Sequence, residues 1–411
     1  MSEGGGLGSA PLAGVRVLDL SRVVSGPFCT MQLGDLGADI IKVEEPTRGD
    51  DSRAFGPPFQ GGESAYFLSV NRNKKSLALD LKHPKAGEVV RRLVEASDVL
   101  VENFRPGTAE RLGIGYDSLK AINPALIYCA ISGFGRSGPE RDRPGYDLIL
   151  QGEAGIMDLT GEPDGPPTKI GAPVADLVSG LYAAQGVLAA LRAREVTGLG
   201  QRVDVAMLDA VASVLTYNAG EFFATGISPT RRGNQHPSIA PYAPFEASDG
   251  WINLGIANDA IWERFCRSVG REELLDDPRF KTAPDRVTNR AAVNAVVADI
   301  IATRPRRAWV ELLEPRGVPV GALNDVGEVV EGPGITARGK IAALDHQNAG
   351  TVKVVDTPVE LSASATGART APPRLGEHTR EVLRVVAELD DTHIDDLLKE
   401  RAVMAPDFHH G

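Results

Sequence analysis

The chain is poor in the residues that most often announce a functional site. Of its 411 residues only three are cysteines, Cys29, Cys129 and Cys266, far apart and each inside an apolar segment. Such scarcity excludes a disulfide framework and a cysteine metal site, and it predicts reduced, buried thiols in a cytoplasmic protein. The seven histidines show no His-x-x-x-His pairing, and His409-His410 falls in a terminal tail, so no metal site is expected. No apolar run approaches the roughly 18 residues of a membrane-spanning helix, and none is predicted. Met1–Ser9 carries neither a basic nor an apolar stretch and reads as a loose tail rather than a signal peptide. Positive charge is also short. Lys and Arg number 44 against 55 Asp and Glu, for a net charge of −11, which argues against nucleic acid or an anionic membrane as partner. A small anionic ligand stays open, because a local basic run such as Arg72-Asn73-Lys74-Lys75 can decide it, although solvated surface is the default for such a run.

Familiar catalytic signatures are missing as well. There is no Gly-x-Ser-x-Gly elbow, no P-loop and no Ser/His or Cys/His pairing. One Gly-x-Gly-x-x-Gly occurs, Gly133-Phe134-Gly135-Arg136-Ser137-Gly138, directly after a predicted strand. A dinucleotide fingerprint needs a helix to open on those glycines. Here Pro139-Glu-Arg-Asp-Arg-Pro144 follows, so a nicotinamide site is not expected and a mobile or ligand-covering loop is.

What is present is a 42% apolar content, enough for a large core and for two domains. Strand-like runs at Val15–Leu20, Asp39–Glu44, Leu77–Asp80, Val99–Glu102, Leu126–Ser132 and Val203–Val205 are separated by helical stretches. Those helices begin near Gly26-Pro27 and run over Pro84–Ala96 and Met207–Ala219. The alternation predicts an α/β fold with a doubly wound parallel sheet. The turn-rich Ser228–Pro237 reads as a linker. Beyond it, a hairpin (Tyr242–Glu246, Trp251–Ala257) and helices at Ile261–Val269, Ala291–Ala302 and Pro305–Leu313 predict a smaller α+β domain over residues 225–325. Residues 326–411, with a strand at Thr351–Val355 and a helix at Thr379–Glu388, are expected to return to the large domain begun by residues 1–224.

One acid stands out. Gly171-Ala-Pro-Val-Ala-Asp176-Leu-Val-Ser-Gly180 is small and apolar except for Asp176, and Leu177, Leu181, Ala184, Leu188 and Leu191 follow at helical spacing. Val174-Ala175 reads as a strand end, which would put Asp176 at a strand-to-helix junction, where free N–H groups favour a carboxylate. An N-cap is the plain alternative, since Asp is a preferred cap before an amphipathic helix. As a nucleophile, an Asp of pKa ~3.9 needs no general base, and even a ~2-unit rise on burial leaves roughly nine in ten molecules charged at neutral pH. Its weakness restricts it to activated centres such as thioesters, phosphoryl groups and glycosyl carbons.

Pieces spread along the chain resemble the class III CoA-transferases, the family of formyl-CoA:oxalate and carnitine CoA-transferases. They include Asp19-Leu-Ser-Arg-Val-Val-Ser-Gly26-Pro27, Leu36-Gly-Ala-Asp-Ile-Ile-Lys-Val-Glu44, Asn71-Arg-Asn-Lys-Lys-Ser76 and Val101-Glu-Asn-Phe-Arg-Pro-Gly107. Further along come Gly145-Tyr-Asp147, Pro173-Val-Ala-Asp176, Gly198–Met207 and Pro373-Arg-Leu-Gly-Glu-His378. The resemblance implies that Asp176 is the catalytic aspartate, attacking an acyl-CoA thioester to give an acyl-aspartyl anhydride and then an aspartyl-CoA thioester. It implies CoA contacts from Val24, Ser25, the Leu79–Lys82 run, Asn103, Phe104, Arg105, Arg111 and Tyr146. Lys82, Arg105 and Arg111 are suited to phosphate. CoA thioesters are then substrates rather than resident cofactors, and a Rossmann-like large domain and an interlocked homodimer are expected.

Against the formyl-CoA:oxalate pattern, Val24 stands in place of Gln, Glu45 in place of Arg, and Gln235–Tyr242 in place of a glycine-rich loop. The texture is nearer the succinyl-CoA-dependent branch acting on glutarate, malate or related dicarboxylates, with Arg53 and His236 as candidates for the distal carboxylate. The related α-methylacyl-CoA racemases place a His where this chain has Tyr146, and Tyr, with a pKa of ~10, is a poor base at neutral pH. A non-catalytic CoA-binding protein is the remaining alternative, and an Asp176→Asn variant of unchanged activity would favour it.

Overall fold

The computed structural model describes residues 8–406, so Met1–Leu7 and the His409-His410 pair lie outside the described residues. Two compact units are present. One comprises the residues up to Ile156, Ile170–Tyr217 and those from Ile335 onward; the other comprises Met157–Lys169 and Asn218–Gly334. The second unit thus reaches past both ends of the expected 225–325 and also takes in a short earlier segment.

The first unit is built on a seven-stranded sheet. Its strands are Arg16–Asp19, Asp39–Glu44, Lys74–Leu79, Val99–Glu102, Ile127–Ser132 and Arg202–Ala206, all parallel, with Val403–Met404 added antiparallel at one edge. Numbering the parallel strands along the chain, their order across the sheet is 3-2-1-4-5-6. The chain therefore reverses direction between the first strand and the fourth, and the crevice outside their carboxyl ends is where such sheets hold ligands.

Apolar side chains on both faces explain why the strands read as continuous hydrophobic runs. One face packs Leu18, Ile41, Leu77 and Leu100 against the helix Ala86–Glu95 and the C-terminal helices Thr379–Val385 and Asp391–Lys399. The other packs Val17, Ile40, Val99 and Ile131 against the helices Ser25–Asp35 and Val174–Thr197. The C-terminal segment is tied in by hydrogen bonds as well, with Arg369 and Thr370 N–H donating to Asn73 and Ala78 N–H donating to Thr379 Oγ1.

Three expectations change here. Val174-Ala175 is not a strand end but the first turn of the 24-residue helix Val174–Thr197. That helix, with a mean hydropathy of 1.5, is long and apolar enough to cross a membrane by length and composition, which the search for an unbroken apolar run missed. Its composition follows from packing, since Ala175, Ser179, Gly180, Ala183, Val187 and Ala190 are buried in the unit's interior. Finally, the basic run Arg72-Asn73-Lys74 is buried rather than solvated. Arg72 makes a bidentate pair with Asp35, and Lys74 pairs with Asp19 at 3.1 Å, burial pushing its pKa down to about 8 against the pull of that carboxylate.

The cysteines are free and buried. Cys29 and Cys129, distant in sequence, are neighbours, and this proximity together with burial raises the Cys129 thiol well above its ordinary pKa.

In the second unit, the strands Tyr242–Ala247, Gly250–Gly255 and Val320–Ala322 form an antiparallel sheet packed through Phe245, Ile252 and Leu254 onto Trp262, Phe265 and Trp309.

Candidate active site

Asp176 is the third residue of its helix, and the position before the helix is Pro173, with no side-chain cap. Asp176 is therefore not the N-cap. That role falls partly to a distant residue, since Asp147 Oδ1 accepts the Ala175 N–H at 2.8 Å while its Oδ2 accepts Gln151 Nε2 at 2.7 Å.

Two helix starts converge on the Asp176 carboxylate. Ser25, the first residue of Ser25–Asp35, faces it, its hydroxyl and its backbone N–H both favouring the ionised form. A helix N-terminus has free N–H groups to give, so this partner follows from position. Gly180 allows the approach: a Cβ there would stand 2.7 Å from the Ser25 carbonyl oxygen.

Despite these donors the Asp176 pKa is raised to about 7, first by burial and then by the negative charge of Asp147, with the Ser25 bonds opposing. The rise exceeds the two units allowed for above, so near neutral pH the carboxylate and its acid form are present in comparable amounts.

The carboxylate opens onto a cavity of about 200 Å³ at the sheet's reversal point. The loop after the first strand contributes Arg22, Val23 and Ser25, the turn after the fourth contributes Asn103, Phe104 and Arg105, and the segment after the fifth contributes Gly133, Arg143 and Tyr146. Asn103 stitches the first two together. Its Oδ1 accepts Arg22 N–H at 2.9 Å, and its Nδ2 donates to Arg22 O at 2.8 Å and to Ser25 Oγ at 3.3 Å.

Val23 sits at φ +70°, a region β-branched residues avoid at a cost of roughly 1–3 kcal/mol. Buried groups hold it there. Asp50 accepts the Val23 N–H at 3.0 Å and pairs with Lys42 at 2.7 Å, and Lys42 also donates to Ser21 O.

A second cavity of about 330 Å³ adjoins the first, sharing Arg22, Asp51 and Phe104. Leu79, Lys82 and Phe104 line it, as does Arg48. Glu45, the residue that departs from the oxalate pattern, accepts the N–H groups of Thr47 and Arg48 and so caps the turn that carries Arg48. Positive charge lost at residue 45 is thereby present three residues on.

The candidate residues divide accordingly. Asp176, Ser25, Asn103, Phe104, Arg105 and Tyr146 line the first cavity, and Phe104, Leu79 and Lys82 line the second. Arg111 donates to Thr108 Oγ1 at the second cavity's edge without lining it. Val24 is buried and lines neither.

Arg53 lines neither cavity. Its guanidinium forms two bonds to Glu44 at 2.7 and 2.8 Å, lies 3.6 Å from Glu63 and stacks 3.7 Å over Phe67. Its Nη1, the nitrogen nearest Glu63, is the least committed of the three. His236 belongs to the second unit, edge-on to Tyr242.

Arg22, Arg48 and Asp147 were not singled out from sequence. Arg22 and Asp147 lie inside quoted motifs, and each sits just beyond a strand end or at a helix start, which is the signal that would have found them. Among the described residues no group of three or more His, Cys, Asp or Glu side chains could hold a metal ion.

Chemically, the site offers a carboxylate with no ion-pair partner among the described residues, in a small cavity next to a larger one lined by cations and an aromatic ring. Comparison with known proteins shows the family. The profile of CoA-transferase family III matches residues 12–379. The human succinyl-CoA:glutarate CoA-transferase is 38% identical over 399 residues, covering 97% of this chain and 91% of that one. The beta subunit of the succinyl-CoA–L-malate CoA-transferase of Chloroflexus aurantiacus is 37% identical over 397 residues, covering 96% and 98%. A CAIB/BAIF family protein from Brucella suis, known from its crystal structure, superposes with a TM-score of 0.86 at 42% identity, covering 93% and 100%.

Proposed function

The chain belongs to CoA-transferase family III, and from that premise we propose that it carries CoA from succinyl-CoA to a dicarboxylic acid, with Asp176 as the nucleophile. The observation that carries the reading is the Asp176 carboxylate itself, buried beside Ser25 and open to the smaller of two adjoining cavities. The dicarboxylate is supported by the acids that the human and Chloroflexus relatives are named for.

In the proposed sequence an Asp176 oxygen attacks the thioester carbonyl and the C–S bond breaks, leaving an acyl-aspartyl anhydride and CoA thiolate. The thiolate attacks the aspartyl carbonyl of the anhydride, releasing succinate and leaving an aspartyl-CoA thioester. The acceptor carboxylate attacks that thioester and expels the thiolate again. The thiolate then takes the acceptor's acyl group, restoring the Asp176 carboxylate. Every intermediate keeps the activation of the original thioester, so water must be excluded, and holding the partners in place can supply roughly 7–11 kcal/mol of the barrier.

Ser25, Asn103, Phe104, Arg105 and Tyr146 would hold the thioester end of CoA, with Leu79, Lys82 and Arg111 toward its phosphates and adenine. Arg22 and Arg48 join them on the strength of their cavity positions. His236 is kept as a contact for the acceptor's distal carboxylate, and a His236→Ala variant should raise KM for the acid alone.

The homodimer is proposed from exposed apolar side chains on the Val174–Thr197 helix, Leu181, Tyr182 and Leu188, and light scattering at working concentration tests it. Three free cysteines support a cytoplasmic setting.

The deciding experiment is mass spectrometry of products from succinyl-CoA and a panel of acids that includes glutarate, malate, mesaconate, itaconate, oxalate and carnitine, with Asp176→Ala in parallel. A new thioester absent from the variant supports the reading and names the acceptor. A thioester formed equally by the variant, or α-proton exchange on a 2-methylacyl-CoA without transfer, overturns it.

A further inference from the structure

The Gly133–Gly138 loop, set aside above as a dinucleotide site, is pinned at several points. Gly133 and Gly145 lie backbone to backbone, so that a Cβ on either would come within 2.7 Å of the other's Cα. Gly133 O accepts the Leu208 N–H, and Arg143 stacks 4.2 Å over Phe134. A loop held this way is a fixed wall rather than a lid.

From it Arg136 reaches to the end of the fourth strand. Its Nη1 donates to Glu102 Oε1 at 2.8 Å, its Nη2 to Glu110, and its Nε stands 3.9 Å from Asp204. Glu102 is 1% exposed. Its Oε1 also accepts the Tyr128 hydroxyl at 3.3 Å, and its Oε2 accepts the Phe104 N–H at 2.7 Å. Glu102 thus faces Arg136, Glu110 and Tyr128, with Cys129 also within electrostatic reach, and carries on its other oxygen the backbone of the turn that lines both cavities.

We propose that Arg136 is a positioning residue for acyl-CoA: acting through Glu102, it fixes the Asn103–Arg105 turn that forms the wall shared by the two cavities. The inference rests on the CoA-transferase reading for the identity of the ligand, and its own content is the route from the glycine loop to that turn.

The physical case is one of alternatives. Burial drives Glu102 toward its neutral form, raising its pKa to about 7, and Arg136 works against that rise. A carboxylate binds the Phe104 N–H more strongly than a carboxyl group does. A protonated Glu102 would also hold a buried proton in need of an acceptor. Without Arg136 the Phe104 end of the turn loses its anchor, the Asn103 end staying tied to Arg22, and Phe104 and Arg105 shift from their positions in the cavities. Asn103, in the same turn, continues the chain of contacts through Ser25 Oγ to Asp176.

The test compares Arg136→Met, Arg136→Lys and Glu102→Gln with wild type and Asp176→Ala. Affinity for free CoA is measured by calorimetric titration, and steady-state constants come from succinyl-CoA with glutarate. Arg136→Met should raise the CoA Kd and the succinyl-CoA KM about tenfold, with kcat at saturation and the glutarate KM held within about twofold. Arg136→Lys should recover part of the affinity. Between pH 7 and 9 the Met variant's Kd should improve severalfold, because Glu102 then ionises at higher pH, while that of wild type, half ionised already at pH 7, changes by no more than about twofold.

An unchanged CoA Kd in a folded Arg136→Met protein, or a loss that is the same at every pH, overturns the proposal and leaves Arg136 a stabilising contact only. Should Arg136→Met not fold, Glu102→Gln decides by the same Kd. Failure of the transfer reading is read separately, from absent transfer by wild type or retained transfer by Asp176→Ala, whereas the free-CoA titration needs no chemistry.

Discussion

Replacing Asp176 by Asn should make the protein more stable, and by an amount that depends on pH. In the folded chain the Asp176 pKa is raised from 3.8 to about 7. Below pH 4 the carboxyl is protonated in both folded and unfolded chains and costs nothing. Between pH 4 and 7 the unfolded chain releases its proton while the folded one retains it, so wild-type stability falls steadily. Above pH 7 both are ionised and the cost is constant. Three units correspond to about 4 kcal/mol at 1.36 kcal/mol per unit. Asn keeps an acceptor for the Ser25 N–H but loses a charge-assisted bond, about 1 kcal/mol, leaving roughly 3 kcal/mol in favour of the variant. With an unfolding entropy near 2.1 cal/mol/K per residue, a chain of this length melting as one unit would gain roughly 3–4 °C in Tm. Thermal melts of both proteins from pH 4 to 9 would show the difference growing to neutrality and then levelling. A difference that does not change with pH, or a variant less stable than wild type at pH 8, would refute the raised pKa and with it the idea that this site is held at a cost to the fold.

The same carboxylate should govern rate. With succinyl-CoA as varied substrate, kcat/KM should fall as pH drops through about 7, because only the ionised form attacks. Asp147→Asn removes the neighbouring negative charge and should move that acid limb to lower pH, read from the same profile. Arg53→Ala should cost about 3–5 kcal/mol in urea titrations by stranding the buried Glu44, yet leave the acid's KM unchanged in the folded fraction. Lys82→Ala and Arg48→Ala should each raise the succinyl-CoA KM about three- to tenfold at low salt and less at 0.5 M, approximately, as screening grows.

How much of this was legible beforehand depended on whether the relevant partners were local. The six parallel strands were visible as β-branched runs between helical stretches, because a sheet covered on both faces writes its burial into consecutive residues. Their lateral order was not, since nothing in Val99–Glu102 says that it lies beside Arg16–Asp19. Asp176 stood out as a lone acid, but the local pattern fitted a cap equally well. Only the fold shows that Pro173 occupies the cap position and that Asp147 supplies the missing acceptor. Arg72 and Lys74 looked like solvated surface because their partners, Asp35 and Asp19, are remote in sequence. The pairing of Arg53 with Glu44 was equally out of sight until the second strand ends beside it. The Cys29–Cys129 contact was hidden likewise.

The antiparallel strand at Val403–Met404 has a bearing on how the chain is made. It pairs with the Ala78-Leu79 end of Lys74–Leu79, which would otherwise be the sheet's open edge, yet it lies more than 320 residues further along the chain. At roughly 5–20 residues per second, that edge waits tens of seconds for its neighbour during synthesis. An unpaired edge is a template for joining another chain. Production of this protein should therefore be sensitive to chaperone supply and to any truncation ahead of Val403.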